Sequence, residues 1–273
     1  MIVVPMTDAL SALAVLLACG FVLWLVSRAR QDVSIVDIFW GPAFAIVAWT
    51  RLGLAGQPSP RALLVALLVT LWAARLAAYL AWRNHGQPED RRYQAMRRRQ
   101  GPAFANRALV TVFWLQCGLA FAISAPVQVA VTAAASPWGA LDLLGVLLFA
   151  LGLGFESVGD WQLSRFKADP ANRGQVMDRG LWRVTRHPNY FGDFCVWWGF
   201  YLLALPAGGL AWLSALGPLL MSFLLLRVSG VSLLEADIGE RRPAYADYIR
   251  RTSAFIPWPP RPASPAPPAP PAR

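Results

Sequence analysis

The chain has 273 residues, 56% of them hydrophobic and 15% charged, with a mean hydropathy of +0.43. That is more apolar surface than a soluble domain of this length buries, so a soluble enzyme is excluded and an integral membrane protein is expected. The net charge of +10 and the 13 Trp fit the same class, because Arg favours the cytoplasmic side and indoles the interface. The charge therefore makes no case for a nucleic-acid partner.

Apolar stretches long enough to cross about 30 Å of hydrocarbon run over residues 7–27, 36–52, 61–82, 108–131, 139–159, 191–207 and 210–228. They predict an all-α, polytopic membrane bundle of about seven transmembrane helices, the sixth and seventh short. No basic residue precedes the first stretch and no A-x-A site follows it before "SRARQD", so it is expected to remain as a membrane helix. Of the 25 Lys and Arg, 21 fall in the first, third and fifth connections and the C-terminal tail. That alternation predicts an N-terminus outside and a C-terminus in the cytoplasm, in what is expected to be a bacterial inner membrane. Residues 1–257 read as one membrane-embedded domain, and the Pro-rich tail 258–273 has little to bury. Cys19, Cys117 and Cys195 form no CxxC or Cys/His spacing, so neither a disulfide framework nor a metal site is expected.

Ionisable groups inside a span are costly and are functional candidates by default. In chain order, Asp37 opens the second helix, Arg75 and Tyr79 end the third, and Glu156 and Asp160 end the fifth. Asp193 opens the sixth and Arg227 ends the seventh, so the predicted topology puts the whole set at the cytoplasmic depth. Asp142 lies at the outer end of its helix, within reach of headgroups. Arg75 and Tyr79 are i, i+4 on one helical face, as are Glu156 and Asp160. Asn189 and Asp193 share that spacing if the sixth helix begins at Pro188, where free amides favour anions. A polar cavity open to the cytoplasm is the simplest arrangement, and interhelical salt bridges and caps are the plain alternative.

Neither soluble nucleotide-binding motif is present, so a nucleotide would have to be held by the helices and their connections. The stretch "GLGFESVG" lies inside a helix, where its glycines are expected to allow close packing. Arg165, Lys167, Arg173, Arg179, Arg183 and Arg186 offer cations for phosphates, while most of "RRYQAMRRR" (91–99) is expected at lipid headgroups. In "RHPNY" the proline disfavours helix at His187 and starts one just after it. The imidazole is thereby placed at the cavity rim beside Asn189 and Tyr190, to bond a cofactor phosphate or ribose or to cap a loop. His85 reads as a loop histidine.

The stretches "VDIFWGP", "RLAAYLAWRNHG", "EDRRYQ", "GDWQLSRFKADPANRGQVMDRGLWRVTRHPNYFGDFCVWWGF" and "RRPAYADYIRRTSAFIP" carry a resemblance. Over about residues 30–257 the sequence resembles the membrane proteins with a steroid 5-alpha reductase C-terminal-like domain. "RHPNYFGD" is also similar to the sterol C14 reductases, and a looser R-H-P-x-Y-x-G is shared with isoprenylcysteine and phospholipid methyltransferases. The resemblance implies NADPH bound from the cytoplasmic side and reduction of a carbon–carbon double bond conjugated to a ketone in a lipophilic substrate. It places Asp160, Lys167, Asn189, Asp193 and Arg227 where those enzymes contact the nucleotide. Glu156 falls where they have asparagine. Tyr79 aligns with the tyrosine that, with an acidic residue one helix earlier, holds the substrate carbonyl, and Asp37 is the candidate acid. Val231 and Glu235 stand where the steroid enzymes have a histidine and a tyrosine.

Hydride arriving at the β carbon of an enone makes an enolate, which needs a hydrogen-bond donor at the carbonyl oxygen. Tyr79 is expected to donate there, oriented by Asp37, with Arg75 one turn away. Two alternatives remain: a membrane methyltransferase using S-adenosylmethionine, and a non-catalytic lipid-binding protein, which would need neither Tyr79 nor Asn189. Membrane lipids are expected partners, and the pattern sets no oligomeric state.

Overall fold

The computed structural model of the chain describes residues 6–228 and 243–262. Val231, Glu235 and the Pro-rich tail beyond residue 262 lie outside them. The described residues form helices and their connections: α1 (Met6–Arg30), α2 (Ile35–Leu54), α3 (Pro60–Asn84), α4 (Arg91–Gln100), α5 (Phe104–Ala108), α6 (Leu115–Ile123), α7 (Ala125–Thr132), α8 (Ala140–Ala168), α9 (Leu181–Val184), α10 (Pro188–Ala204), α11 (Leu216–Phe223) and α12 (Pro243–Arg251). π-Helical turns Leu109–Trp114 and Leu224–Val228 lead into α6 and follow α11.

Six helical runs among the described residues are long and apolar enough to cross a membrane: Thr7–Arg30, Ile35–Leu54, Pro60–Asn84, Arg91–Ile123, Ala140–Ala168 and Ala211–Val228. They fit an integral membrane protein in a lipid environment. The stretch expected as the sixth helix forms α10, whose 17 residues span about 26 Å. It starts at Pro188, where a missing N–H loses no bond.

Three element boundaries differ from the sequence expectation. The fourth stretch breaks at Ser124, before Pro126 in the first turn of α7. The carbonyl of Phe121 is satisfied there by Ser124 Oγ at 2.7 Å and Gln128 Nε2 at 2.8 Å. The fifth helix continues past residue 159 to Ala168, so Asp160 and Lys167 are helical. The connection 83–107 contains α4, whose N-cap Asp90 accepts from the Arg92 amide at 2.8 Å.

The chain divides into two compact units, Met1–Phe149 with Trp197–Met221, and Ala150–Val196 with Ser222–Arg273. In the first, α2 packs on α1, α3, α6 and α7. Gly41 allows the close approach of α3, since a Cβ there would lie 2.9 Å from the Ala73 carbonyl oxygen. The core of this unit is aromatic: Phe44, Trp72, Trp197 and Phe200 are fully buried, and Phe44 lies 4.5 Å from Trp197 between ring centroids. Arg61 at the start of α3 makes a buried bidentate pair with Asp142 at the start of α8, at 2.6 and 2.9 Å, and also bonds Ser136 Oγ and the Pro137 carbonyl. Asp142 is thus an internal partner and not the headgroup contact expected of it. Arg51 is also buried, and its guanidinium nitrogens have no hydrogen-bond partner among the described residues.

In the second unit, the segment following α12 is latched onto residues 182–186. Arg186 N–H donates to Ser253 O at 2.9 Å, Thr185 Oγ1 to Phe255 O at 2.8 Å, and Trp258 N–H to Val184 O at 2.9 Å. The Phe255 ring packs edge-on against Phe191 and Phe194 of α10.

Candidate functional site

The expected site residues divide between the units. In the second unit, Glu156 and Asp160 lie one turn apart on α8 and are 3% and 5% exposed. Lys167 follows Asp160 by seven residues, two turns along the same stripe. Glycines bring α10 against this stripe. A Cβ at Gly192 would lie 2.8 Å from both the amide nitrogen and Cγ of Glu156, and one at Gly159 would lie 3.2 Å from Pro188. These contacts explain the glycines at 152 and 159 in "GLGFESVG".

The first turn of α10 supplies the polar partners. Asn189 Nδ2 donates to Asp160 Oδ1 at 3.5 Å, the outer limit of such a bond, and its Oδ1 accepts from the Tyr190 amide at 3.1 Å. Asp193, one turn further on, is half-buried. His187 is 4% exposed, with its ring stacked on Tyr190 at 5.3 Å and 4°. It is therefore enclosed and not at an open rim. Arg183 on α9 and Arg227 on the last π turn are exposed.

Beyond this cluster, the end of α8, the following turns and α12 enclose a cavity of about 430 Å³. Phe166, Trp182, Tyr245 and Tyr248 give it aromatic walls, with Lys167 and Arg173 as its cations. Trp182 ties the cavity to the cluster: its indole N–H donates to the Gly159 carbonyl at 3.0 Å, next to Asp160. Tyr248 bonds the Trp182 carbonyl through its hydroxyl. Arg251 fixes α12 by pairing with Asp247 at 2.5 Å and Asp178 at 3.4 Å. The hydrogen bond from Arg251 holds the Asp247 carboxyl below the usual carboxylate range.

Asp37, Arg75 and Tyr79 belong to the first unit. Asp37 accepts from Tyr93 Oη at 2.8 Å and from Arg92 Nη2 at 2.7 Å. Gln116 Nε2 donates to the same tyrosine hydroxyl at 3.3 Å. Tyr79 is half-buried, and its ring lies between Arg75 and Arg83, 5.7 and 5.8 Å from its centroid. Arg75 thus meets the ring of Tyr79. The hydrogen-bond donors on Asp37 are Tyr93 and Arg92 from α4, not Tyr79.

Some arginines expected at phosphates or lipids have internal partners instead. Arg186 is buried, and its guanidinium bonds the carbonyls of Ile249, at 3.0 Å, and Thr252, where a cation suits the end of α12. Arg97 pairs with Glu89 at 2.8 Å, and Glu89 also accepts from the Val33 amide at 3.0 Å. Sequence reasoning did not single out Tyr93, Gln116, Trp182 or Tyr245. Tyr93 sits inside "EDRRYQ", and Tyr245 and Tyr248 are i, i+3 on an amphipathic helix, which is the signal each offered.

Residues 23–252 match the family described as protein of unknown function, DUF1295. The chain belongs to that family. DUF1295 is the steroid 5-alpha reductase-like group that the motifs resemble. Among relatives of this DUF1295 protein, an uncharacterized protein of Schizosaccharomyces pombe is 28% identical over 273 residues, covering 87% of this chain and 76% of that one. A probable O-methyltransferase of Ustilaginoidea virens is 39% identical over 66 residues, which is 24% of this chain and 22% of that protein. No solved structure matches significantly.

Proposed function

We propose that this DUF1295 protein is a membrane NADPH-dependent reductase of a carbon–carbon double bond conjugated to a ketone, in a lipophilic steroid-like or isoprenoid-like substrate. In this reading it lies in a bacterial inner membrane with its C-terminus in the cytoplasm. The observation that carries it is the cluster of buried Glu156 and Asp160 with half-buried Asn189, held by close α8–α10 packing beside an aromatic-walled cavity. Buried carboxylates are expensive, and hydroxyl-rich ligands use such acceptors well.

The donor set suits a pyridine dinucleotide. Asp160 and Asn189 offer acceptors and an amide for ribose and carboxamide groups, and the exposed Lys167, Arg183 and Arg227 offer cations for phosphates. His187 and Tyr190 brace the first turn of α10. When bound, NADPH supplies the hydride that reaches the β carbon of the enone. Tyr79 donates a hydrogen bond to the carbonyl oxygen as negative charge develops there. Its ring meets Arg75 and Arg83 at 5.7 and 5.8 Å. Asp37, accepting from Tyr93 and Arg92, ties α2 to α4.

A methyltransferase using S-adenosylmethionine is the second reading, favoured by the short match to a probable O-methyltransferase. The test is NADPH oxidation by the full chain in nanodiscs, followed by absorbance over a panel of lipophilic enones. Turnover that disappears in Tyr79→Phe while NADPH still binds supports the reductase. Methyl transfer from S-adenosylmethionine to lipophilic acceptors, with no NADPH oxidation, overturns it.

A further inference from the structure

We infer that the segment following α12 is a membrane anchor: Ile256 and Trp258 enter the leaflet at which α10 begins, and the arginines around them hold anionic lipid headgroups there. The anchor is independent of which cofactor the chain takes.

Residues 253–258 lie in none of the spans expected from apolar length, yet they carry two large apolar side chains turned outward. Ile256 is 64% and Trp258 70% exposed, while Phe255 and Pro257 are half-buried. The segment is no loose end, because its backbone is bonded to Val184, Thr185 and Arg186. Fixing an isoleucine and a tryptophan so that they face water is unfavourable, whereas facing them to lipid is not.

Two helices set the depth. The Phe255 ring meets Phe191 and Phe194 in the first two turns of α10, so its neighbours lie where that helix enters the bilayer. On α8, Trp161 is 57% exposed, with the Arg165 guanidinium 5.5 Å from its ring. The residues 182–184 link the two positions: the Trp182 indole N–H donates to Gly159, two residues before Trp161, and the Val184 carbonyl accepts from the Trp258 N–H. Exposed indoles at one level with arginine beside them form an interfacial belt.

Charge selects the leaflet's lipids. Residues 243–262 hold three arginines, Arg250, Arg251 and Arg261, against one acid, Asp247. Arg251 is engaged by Asp247 and Asp178, while Arg261 and, beside Asp247, Arg250 remain exposed. Exposed cations next to an apolar anchor favour anionic headgroups. A second copy is the poorer occupant, since two side chains of this size offer about 300 Å², less than half of the about 800 Å² that each partner of a stable interface buries. Through its bonds to residues 184–186, the anchor holds the lead-in to α10, and with it Asn189, at the bilayer surface.

The test reconstitutes the full chain in liposomes of phosphatidylcholine and phosphatidylglycerol in equal parts. The photo-crosslinker p-benzoylphenylalanine replaces Ile256, Trp258 or, as a control, the exposed Ala171. Unchanged melting temperatures establish that the substituted chains are folded, and mass spectrometry after irradiation identifies what each position touches. Lipid adducts are expected at 256 and 258, about tenfold or more above Ala171 and enriched in phosphatidylglycerol. Arg250→Gln combined with Arg261→Gln should remove that enrichment. Adducts no more frequent than at Ala171 would leave the segment in water, and covalent dimers would assign the face to a second copy; either result overturns the anchor. Equal adducts of the two lipids, or an enrichment that the double variant keeps, would overturn the role of the arginines.

Discussion

The Tyr93 hydroxyl donates to Asp37 Oδ1 at 2.8 Å, while Arg92 reaches the other carboxylate oxygen at 2.7 Å. Asp37 is therefore a hydrogen-bond acceptor on both oxygens, and the link it makes is between α2 and α4. Tyr93→Phe removes this bond and also strips Gln116 Nε2 of its partner. The expected loss is about 1–3 kcal/mol, read as a lower melting temperature. NADPH affinity should be unchanged, because the account assigns the cofactor to the second unit.

The Arg61–Asp142 pair is buried on both sides, with four acceptor atoms around one guanidinium. Asp142→Ala should destabilise by about 3–5 kcal/mol, since it leaves Arg61 buried with its charge uncompensated. Thermal unfolding in detergent measures the effect. Arg51 is the converse case: with no hydrogen-bond partner among the described residues, Arg51→Met should be neutral or stabilising.

The α8–α10 contact positions Asp160 and Asn189, and it depends on the absence of a side chain at Gly192. Gly192→Val would drive atoms into the Gly152 carbonyl and Glu156. Overpacking of this kind costs about 1–3 kcal/mol or more. NADPH affinity should fall together with melting temperature, whereas Asn189→Ala should lower affinity at an almost unchanged melting temperature.

Much of this arrangement was legible in the sequence because bilayer crossing leaves few choices. Apolar length marked the spans, and the His187–Pro188 step marked the start of α10. The spacing of Glu156 with Asp160, and of Asn189 with Asp193, put each pair on one face. What could not be read was which cation meets which carboxylate. Arg92 sits in a run that looks like headgroup contacts, yet it bonds Asp37 because α4 folds back on the start of α2. Arg186 likewise reads as a phosphate ligand until α12 brings its terminal carbonyls within reach. Such pairings arise from contacts 50 or more residues apart, with 55 separating Asp37 from Arg92 and 63 separating Arg186 from Ile249.

Asp90 makes α4 sensitive to acid. Partial burial opposes its ionisation, but hydrogen bonds from the Arg92 side chain and amide outweigh that and hold the carboxyl below its ordinary value of 3.8. Because the folded value is the lower one, the cap's contribution is fully present above the unfolded value of about 3.9 and is lost as pH falls through the folded value. Melting temperature should therefore decline below about pH 4. Asp90→Asn, which keeps a capping oxygen but not the charge, should flatten that decline.

The central claim is that the second unit binds NADPH through Asp160 and Asn189. The most direct measurement is a thermal-shift titration of the purified full chain with NADPH and S-adenosylmethionine in parallel, repeated on Asn189→Ala. The account predicts saturable stabilisation by NADPH, none by S-adenosylmethionine, and loss of the NADPH shift in the variant. Stabilisation by S-adenosylmethionine alone, or an NADPH shift that Asn189→Ala leaves intact, would contradict it.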